Sequence, residues 1–156
     1  MLKAVKGYAA RSALGRGPYC GPVAIAAVTG KDVTKIEEAI QRNRNNGRMV
    51  IGTFASDLSG ALHEFGFRMI RVSVSRTPEP ALGDKKIPNP TLVHWLRTRK
   101  PADGKSTFIL NVGHHWIAVE GRRICDTYTS GEPTFIRSGP HRRRRVLEAY
   151  RIERNA

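Results

Sequence analysis

Only two cysteines occur in the chain, Cys20 and Cys125. Two are too few for a disulfide scaffold, so each thiol needs its own explanation. Long apolar runs are also missing: no stretch approaches the roughly 18 residues that a membrane-spanning helix needs. The segment from Met1 to Tyr8 carries Lys3 and Lys6 but lacks the apolar block of a secretory signal. These absences point to a cytosolic protein with reduced thiols and no membrane partner. Acidic residues are scarce, with 13 Asp and Glu against 27 Lys and Arg, a formal net charge of +14. Such an excess favours an acidic partner, either a protein surface or nucleic acid. Its densest part is Arg142-Arg143-Arg144-Arg145, a run that can equally be a solvated, self-repelling surface. Neither zinc-finger spacing nor an RNA-recognition aromatic signature accompanies the run, so sequence-specific reading of a nucleic acid has no support.

Internal repeats and low-complexity segments are absent, and 156 residues suit one domain spanning 1–156. Residues 1–16 read as a flexible N-terminal arm, and the proline-rich stretch 76–90 as a long surface loop. The first half has helical periodicity. Pro22 to Thr29 is apolar all round and stops at Gly30, the pattern of a buried helix. Asp32 or Thr34 caps the next helix, whose inward stripe is Val33, Ile36 and Ile40; Thr34 and Glu37 stand at capping-box spacing. A third helix carries Leu58, Ala61, Leu62 and Phe65 on one face, and Phe67 to Val74 alternates like a strand. Asn89-Pro90 opens a fourth helix with Leu92, Trp95 and Leu96 inward. Further on the period falls to two. Thr107–Val112, His115–Glu120, Arg123–Tyr128 and Pro133–Arg137 read as strands between glycine turns, while Val146–Ile152 fits a strand or a helix. Helices first and a mainly antiparallel sheet second make an α+β layout.

Within that layout Cys20 stands at the start of the buried helix, where free N–H groups and the helix dipole stabilise a thiolate. In the strand that begins at His115, parity puts His115 with Ile117 and Val119, and His114 on the opposite face with Trp116. A tight turn at Gly121-Arg122 pairs Glu120 with Arg123, so Ile117 lies opposite Asp126. His115 and Asp126 are then diagonal neighbours about 7 Å apart at Cβ. A thiol, an imidazole and a carboxylate so placed are the parts of an activated nucleophile: Cys20 attacks, His115 moves the proton, Asp126 orients the ring. Taken singly, His115 also suits a half-buried strand position, Asp126 a turn, and Cys125 plain core packing. His63 and His94 fall off the apolar stripes of their helices, and both, like His141 beside the arginines, read as surface residues. A zinc site from Cys20, Cys125, His114 and His115 is weighed and set aside, because no paired-cysteine spacing exists. No metal or cofactor is expected.

Cys20-Gly21-Pro22-Val23-Ala24-Ile25-Ala26-Ala27-Val28-Thr29-Gly30-Lys31, with Gly113-His114-His115-Trp116-Ile117-Ala118-Val119-Glu120-Gly121 and Cys125-Asp126-Thr127, resembles the small papain-like cysteine peptidases of phages and prophages. More distantly it is similar to the bacteriocin-processing peptidase domains of ABC exporters. The resemblance runs from about Cys20 to Ile152. It implies a papain-like fold, a Cys20–His115–Asp126 triad, and a peptidase or isopeptidase acting on a protein or peptide, in the host cytosol if phage-encoded. Amidase, deamidase and acyltransferase chemistry use the same thiolate. The chain departs from the family at Leu14, where such enzymes carry a glutamine that donates to the oxyanion; no Gln or Asn lies between Met1 and Cys20. Gly17, Tyr19, Gly21, Asn111 and Trp116 are the candidates for lining the substrate or supplying the second donor. The departure keeps an alternative in view, an inactive papain-fold module whose basic surface binds nucleic acid or a host factor.

Overall fold

The computed structural model describes residues 1–74 and 88–156, so most of the loop expected at 76–90 lies outside the described residues. Along the chain come α1 (Tyr8–Ser12), α2 (Cys20–Thr29), α3 (Val33–Arg44), α4 (Ala55–Glu64), β1 (Phe67–Val72), α5 (Leu92–Thr98), β2 (Thr107–Val112), β3 (His115–Glu120), β4 (Arg123–Cys125), β5 (Thr134–Phe135) and β6 (Val146–Arg154). Single 3₁₀ turns span Pro101–Lys105 and Ile136–Ser138. The strands form one antiparallel sheet in the order β1-β6-β2-β3-β4-β5. The architecture is α+β, with the helices mainly N-terminal.

Strand parity divides the core. Ile109, Trp116, Ala118, Cys125, Tyr150 and Ile152 pack under α2, α3 and α4. Phe108, Leu110, Ile117, Val119, Ile124 and Ala149 pack on the other side with Leu92 and Trp95 of α5. Central α2 has Val23 through Ala27 wholly buried, as a helix without a polar face must be. Gly30 ends it in a left-handed conformation (φ 71°) that costs glycine little. No helix among the described residues is long and apolar enough to cross a membrane.

Two-residue turns set the register of β3 at both ends. Gly113 and His114 both have positive φ (58° and 67°), the pattern of a hairpin turn matched to strand twist, and Val112 pairs with His115. At the other end Glu120 pairs with Arg123 across Gly121-Arg122, as expected. The strand expected over Arg123–Tyr128 stops at Cys125, because Asp126 and Thr129 bond each other's backbone and fold the chain into a turn. Of the expected 133–137 strand only Thr134–Phe135 pairs, and a 3₁₀ turn follows. The segment left open at 146–152 is a strand, β6, paired with both β1 and β2. Asp32, not Thr34, caps α3: its Oδ1 accepts the Thr34 N–H at 3.0 Å.

The first sixteen residues are not a loose arm. Leu2 and Val5 belong to the core, Lys3 N–H donates to Ala27, and Val33 N–H donates to Lys6. Arg11 is buried with its Nε 2.7 Å from the Glu37 carboxylate, so the glutamate expected in a capping box is instead half of an ion pair. Removing one member of a buried pair strands the other charge, which costs about 3–5 kcal/mol, whereas replacing both by apolar groups is far milder. Urea unfolding should therefore show Arg11→Met destabilised by about that amount and Arg11→Met/Glu37→Leu recovering most of it.

Candidate active site

Cys20 is the first residue of α2, half-buried, with Tyr19 as an extended N-cap that makes no side-chain bond to the helix. Free N–H groups thus remain near the sulfur. Burial alone pushes the thiol up. Hydrogen bonds from the His115 ring and from the Trp116 and Gly21 backbone outweigh it and hold the thiol below its ordinary value. His115, the first residue of β3, is reached because the turn before it is so short. Burial pulls its imidazole down, but the contacts with Asp126 and Cys20 raise it to about 9. Cys125 is the contrast: burial drives its thiol up to about 12, against a weaker opposing hydrogen bond from Thr129. The two cysteines are chemically opposite.

Asp126 is the anchor. It and His141 have no exposed surface (0%). His115 Nε2 lies 3.0 Å from Asp126 Oδ2, and His141 Nε2 lies 2.6 Å from the same oxygen. The other oxygen, Oδ1, accepts the Thr129 N–H at 2.9 Å. Burial would raise this carboxyl, but the bonds from His115, His141 and Thr129 prevail and hold it well below the carboxylate range. Since His115 Nε2 faces Asp126, Nδ1 is left for the Cys20 thiol. Tyr128 sets its ring edge-on to both imidazoles, at centroid distances of 5.1 Å to His115 and 4.9 Å to His141. The N-terminal segment braces the same loop: Tyr8 Oη donates to Thr127 and Val5 N–H to Gly131.

His141 is the residue that sequence reasoning missed and placed on the surface. It lies in an aperiodic stretch after Gly139-Pro140, and no spacing singles it out. His63 and His94 are exposed, and so is His114, out in its turn. His115, Asp126 and His141 offer ligand atoms within 4.8 Å of one another, the geometry of a cation site. Yet both Nε2 atoms are committed to one carboxylate oxygen and two of the three groups are sealed, whereas a catalytic metal keeps an open position. The trio is a hydrogen-bond relay. The set Cys20, Cys125, His114 and His115 does not gather among the described residues.

Several lining candidates have other roles. Trp116 is buried and its indole N–H donates to Thr53 O at 3.0 Å, so it supports the core and not a substrate surface. Gly21 leaves room for Thr53: a Cβ there would sit 2.0 Å from the Thr53 hydroxyl oxygen, itself buried without a partner. Gly17, at φ 80°, is packed by the Tyr19 ring and the Arg11 guanidinium. The Asn111 amide donates one of its two N–H groups to Glu148 at 3.1 Å, which ties it to β6. Leu14 is exposed (76%) hydrocarbon. The Arg142–Arg145 side chains are exposed, while the carbonyls of Arg142 and Arg144 accept N–H groups from the first turn of α5. Comparison with protein-family models, with curated proteins and with solved structures found no match.

The lowered thiol and raised imidazole define a window. Cys20 should ionise below the ordinary thiol range, and His115 should stay protonated up to about 9, above which it loses its proton. Iodoacetamide should therefore modify Cys20 at pH 7 and leave Cys125 untouched, read by peptide mapping. In His115→Ala the rate–pH midpoint should move up, since burial still raises the thiol while two of the lowering interactions are gone.

Proposed function

We propose that the chain is a papain-like cysteine hydrolase, a peptidase or isopeptidase acting on a protein target, as in the phage and prophage enzymes it resembles. The observation that carries this reading is the coupling of a lowered thiol at a helix N-terminus to an imidazole held by a buried carboxylate. Cys20 Sγ attacks the acyl carbon and forms the C–S bond, giving an oxyanion to which the Cys20 N–H donates. His115 gives its proton to the departing amine as the C–N bond breaks. Water then attacks the thioester, His115 takes its proton, and the thiolate leaves with the acid product. Asp126 holds the ring with one nitrogen toward the sulfur. His141 holds Asp126.

A second reading, a non-catalytic module of the same fold, draws support from Leu14, whose hydrocarbon side chain cannot supply a second oxyanion donor. A peptidyl vinyl sulfone separates the two. The hydrolase reading expects stoichiometric capture on Cys20 at neutral pH, abolished in Cys20→Ala and His115→Ala, with turnover of an ester substrate; no capture, or capture indifferent to His115, rejects it.

The assigned role of His141 is tested by comparing two variants. His141→Phe deletes a charge-assisted hydrogen bond of about 1.5–3 kcal/mol, so kcat/KM should fall about 10- to 100-fold. His141→Gln, whose amide can still donate to Asp126, should recover much of that rate. A His141→Phe protein with full activity would remove the residue from the relay.

A further inference from the structure

A recess lies under α5, on the sheet face opposite the one that α2 covers. It has a volume of about 810 Å³ and is lined by Val93, Leu96, Ile136 and Phe135 with five arginines, 97, 99, 122, 137 and 142. No acidic residue is among this lining, and no carboxylate ion pair to any of the five occurs among the described residues. Arg99 is the telling member. Its Nη2 donates to Gly121 O at 2.8 Å, its guanidinium lies 5.8 Å from the Trp95 ring centroid, and its Nη1 is buried without a partner. Asp103 acts on it only from beyond ion-pair range, so this partly desolvated cation lacks a direct counter-charge, and an anion entering the recess offsets that cost.

The shape and chemistry narrow the class of anion. Guanidinium groups match phosphate oxygens in pairs and also stack on flat rings. Phe135 is 58% exposed, and Arg123 sits 5.0 Å from its centroid, leaving ring surface for a planar partner. The apolar wall of Val93, Leu96 and Ile136 can be reached by a base only when that base is unpaired. We propose that this groove binds single-stranded nucleic acid, with the arginines on the backbone phosphates and a base stacked against Phe135. The segment that carries Arg142 into the groove also carries His141 to Asp126, so the bound strand lies near the Cys20 site without forming part of it. The proposal stands whether or not Cys20 is catalytic.

The test is fluorescence anisotropy of a labelled 12-nucleotide oligothymidylate with the full chain, from 50 to 200 mM salt. Five phosphate contacts predict a log–log salt slope approaching about −3.5, and Arg97→Ala/Arg137→Ala should reduce it by about 1.4. Phe135→Ala should weaken binding about 5- to 100-fold at every salt concentration with the slope unchanged. Both variants alter exposed side chains, and thermal melts check that they fold as the parent does. Absence of binding at 50 mM salt overturns the proposal, and so do variants that bind like the parent. Tighter binding to the matched duplex, or equal competition by inorganic polyphosphate or a polyglutamate peptide with Phe135→Ala neutral, also overturns it, because either result makes the recess a generic anion surface.

Discussion

A carboxylate removed from water must be met by donors on nearly every lone pair, and Asp126 is met by three: two imidazoles on one oxygen and a backbone N–H on the other. Much of the molecule is arranged to keep those donors in place. The turn that ends β4 delivers the Thr129 N–H, the short hairpin before β3 delivers His115, and the passage from the 136–138 turn to β6 delivers His141. The N-terminal segment then clamps the Asp126 loop through Tyr8 and Val5. If the carboxylate lost a donor, the cost of its burial would return, and the imidazole beside Cys20 would lose its fixed orientation.

The parts of this arrangement visible in the sequence are those governed by a repeat. Period two over Thr107–Val112 and His115–Glu120, with a glycine at each turn, specifies strand bounds and register closely enough to set His115 beside Asp126. The 3.6-residue stripe of Val33, Ile36 and Ile40 likewise specifies the buried face of α3. His141 obeys no repeat. It follows Gly139-Pro140 and precedes four arginines, so local chemistry describes an exposed loop, and only the packing of that loop against the end of β4 buries the ring. The second donor to Asp126 is therefore a tertiary fact.

Residues 1–16 make the same point differently. Leu2, Val5 and Tyr8 recur every third position, too short a series to stand out beside lysines and glycines. Their burial depends on surfaces supplied by α2, α3 and the 126–131 loop. Gly21 was legible as a place where something comes close to Cys20. Its neighbour is Thr53, from a segment without clear periodicity, and not a substrate. In each case the sequence marks a close approach without saying which distant element makes it.

The charge excess acquires a location from the same accounting. The acids with ion-pair partners are committed to structural tasks: Glu37 to Arg11, Asp57 to Arg44, Glu64 to Arg42, Asp103 to Arg151, Glu153 to Arg68 and Arg151, Glu120 to the N-terminal ammonium, and Asp126 to the two histidines. Apart from Glu120 at the end of β3, Asp103 in its 3₁₀ turn and the Asp126 cluster, those pairs lie along α1, α3, α4 and the neighbouring strands β1 and β6. Arginines around α5, the Gly121 turn and β5 have no such partner among the described residues, so part of the +14 excess is left unpaired there. A basic run read along the sequence centres on positions 142–145. In space only Arg142 of that run joins the recess, and the others come from three separate elements. Positive charge gathered by folding around an exposed aromatic ring is a better guide to a binding surface than charge gathered along the chain, because only the former fixes distances between the cations.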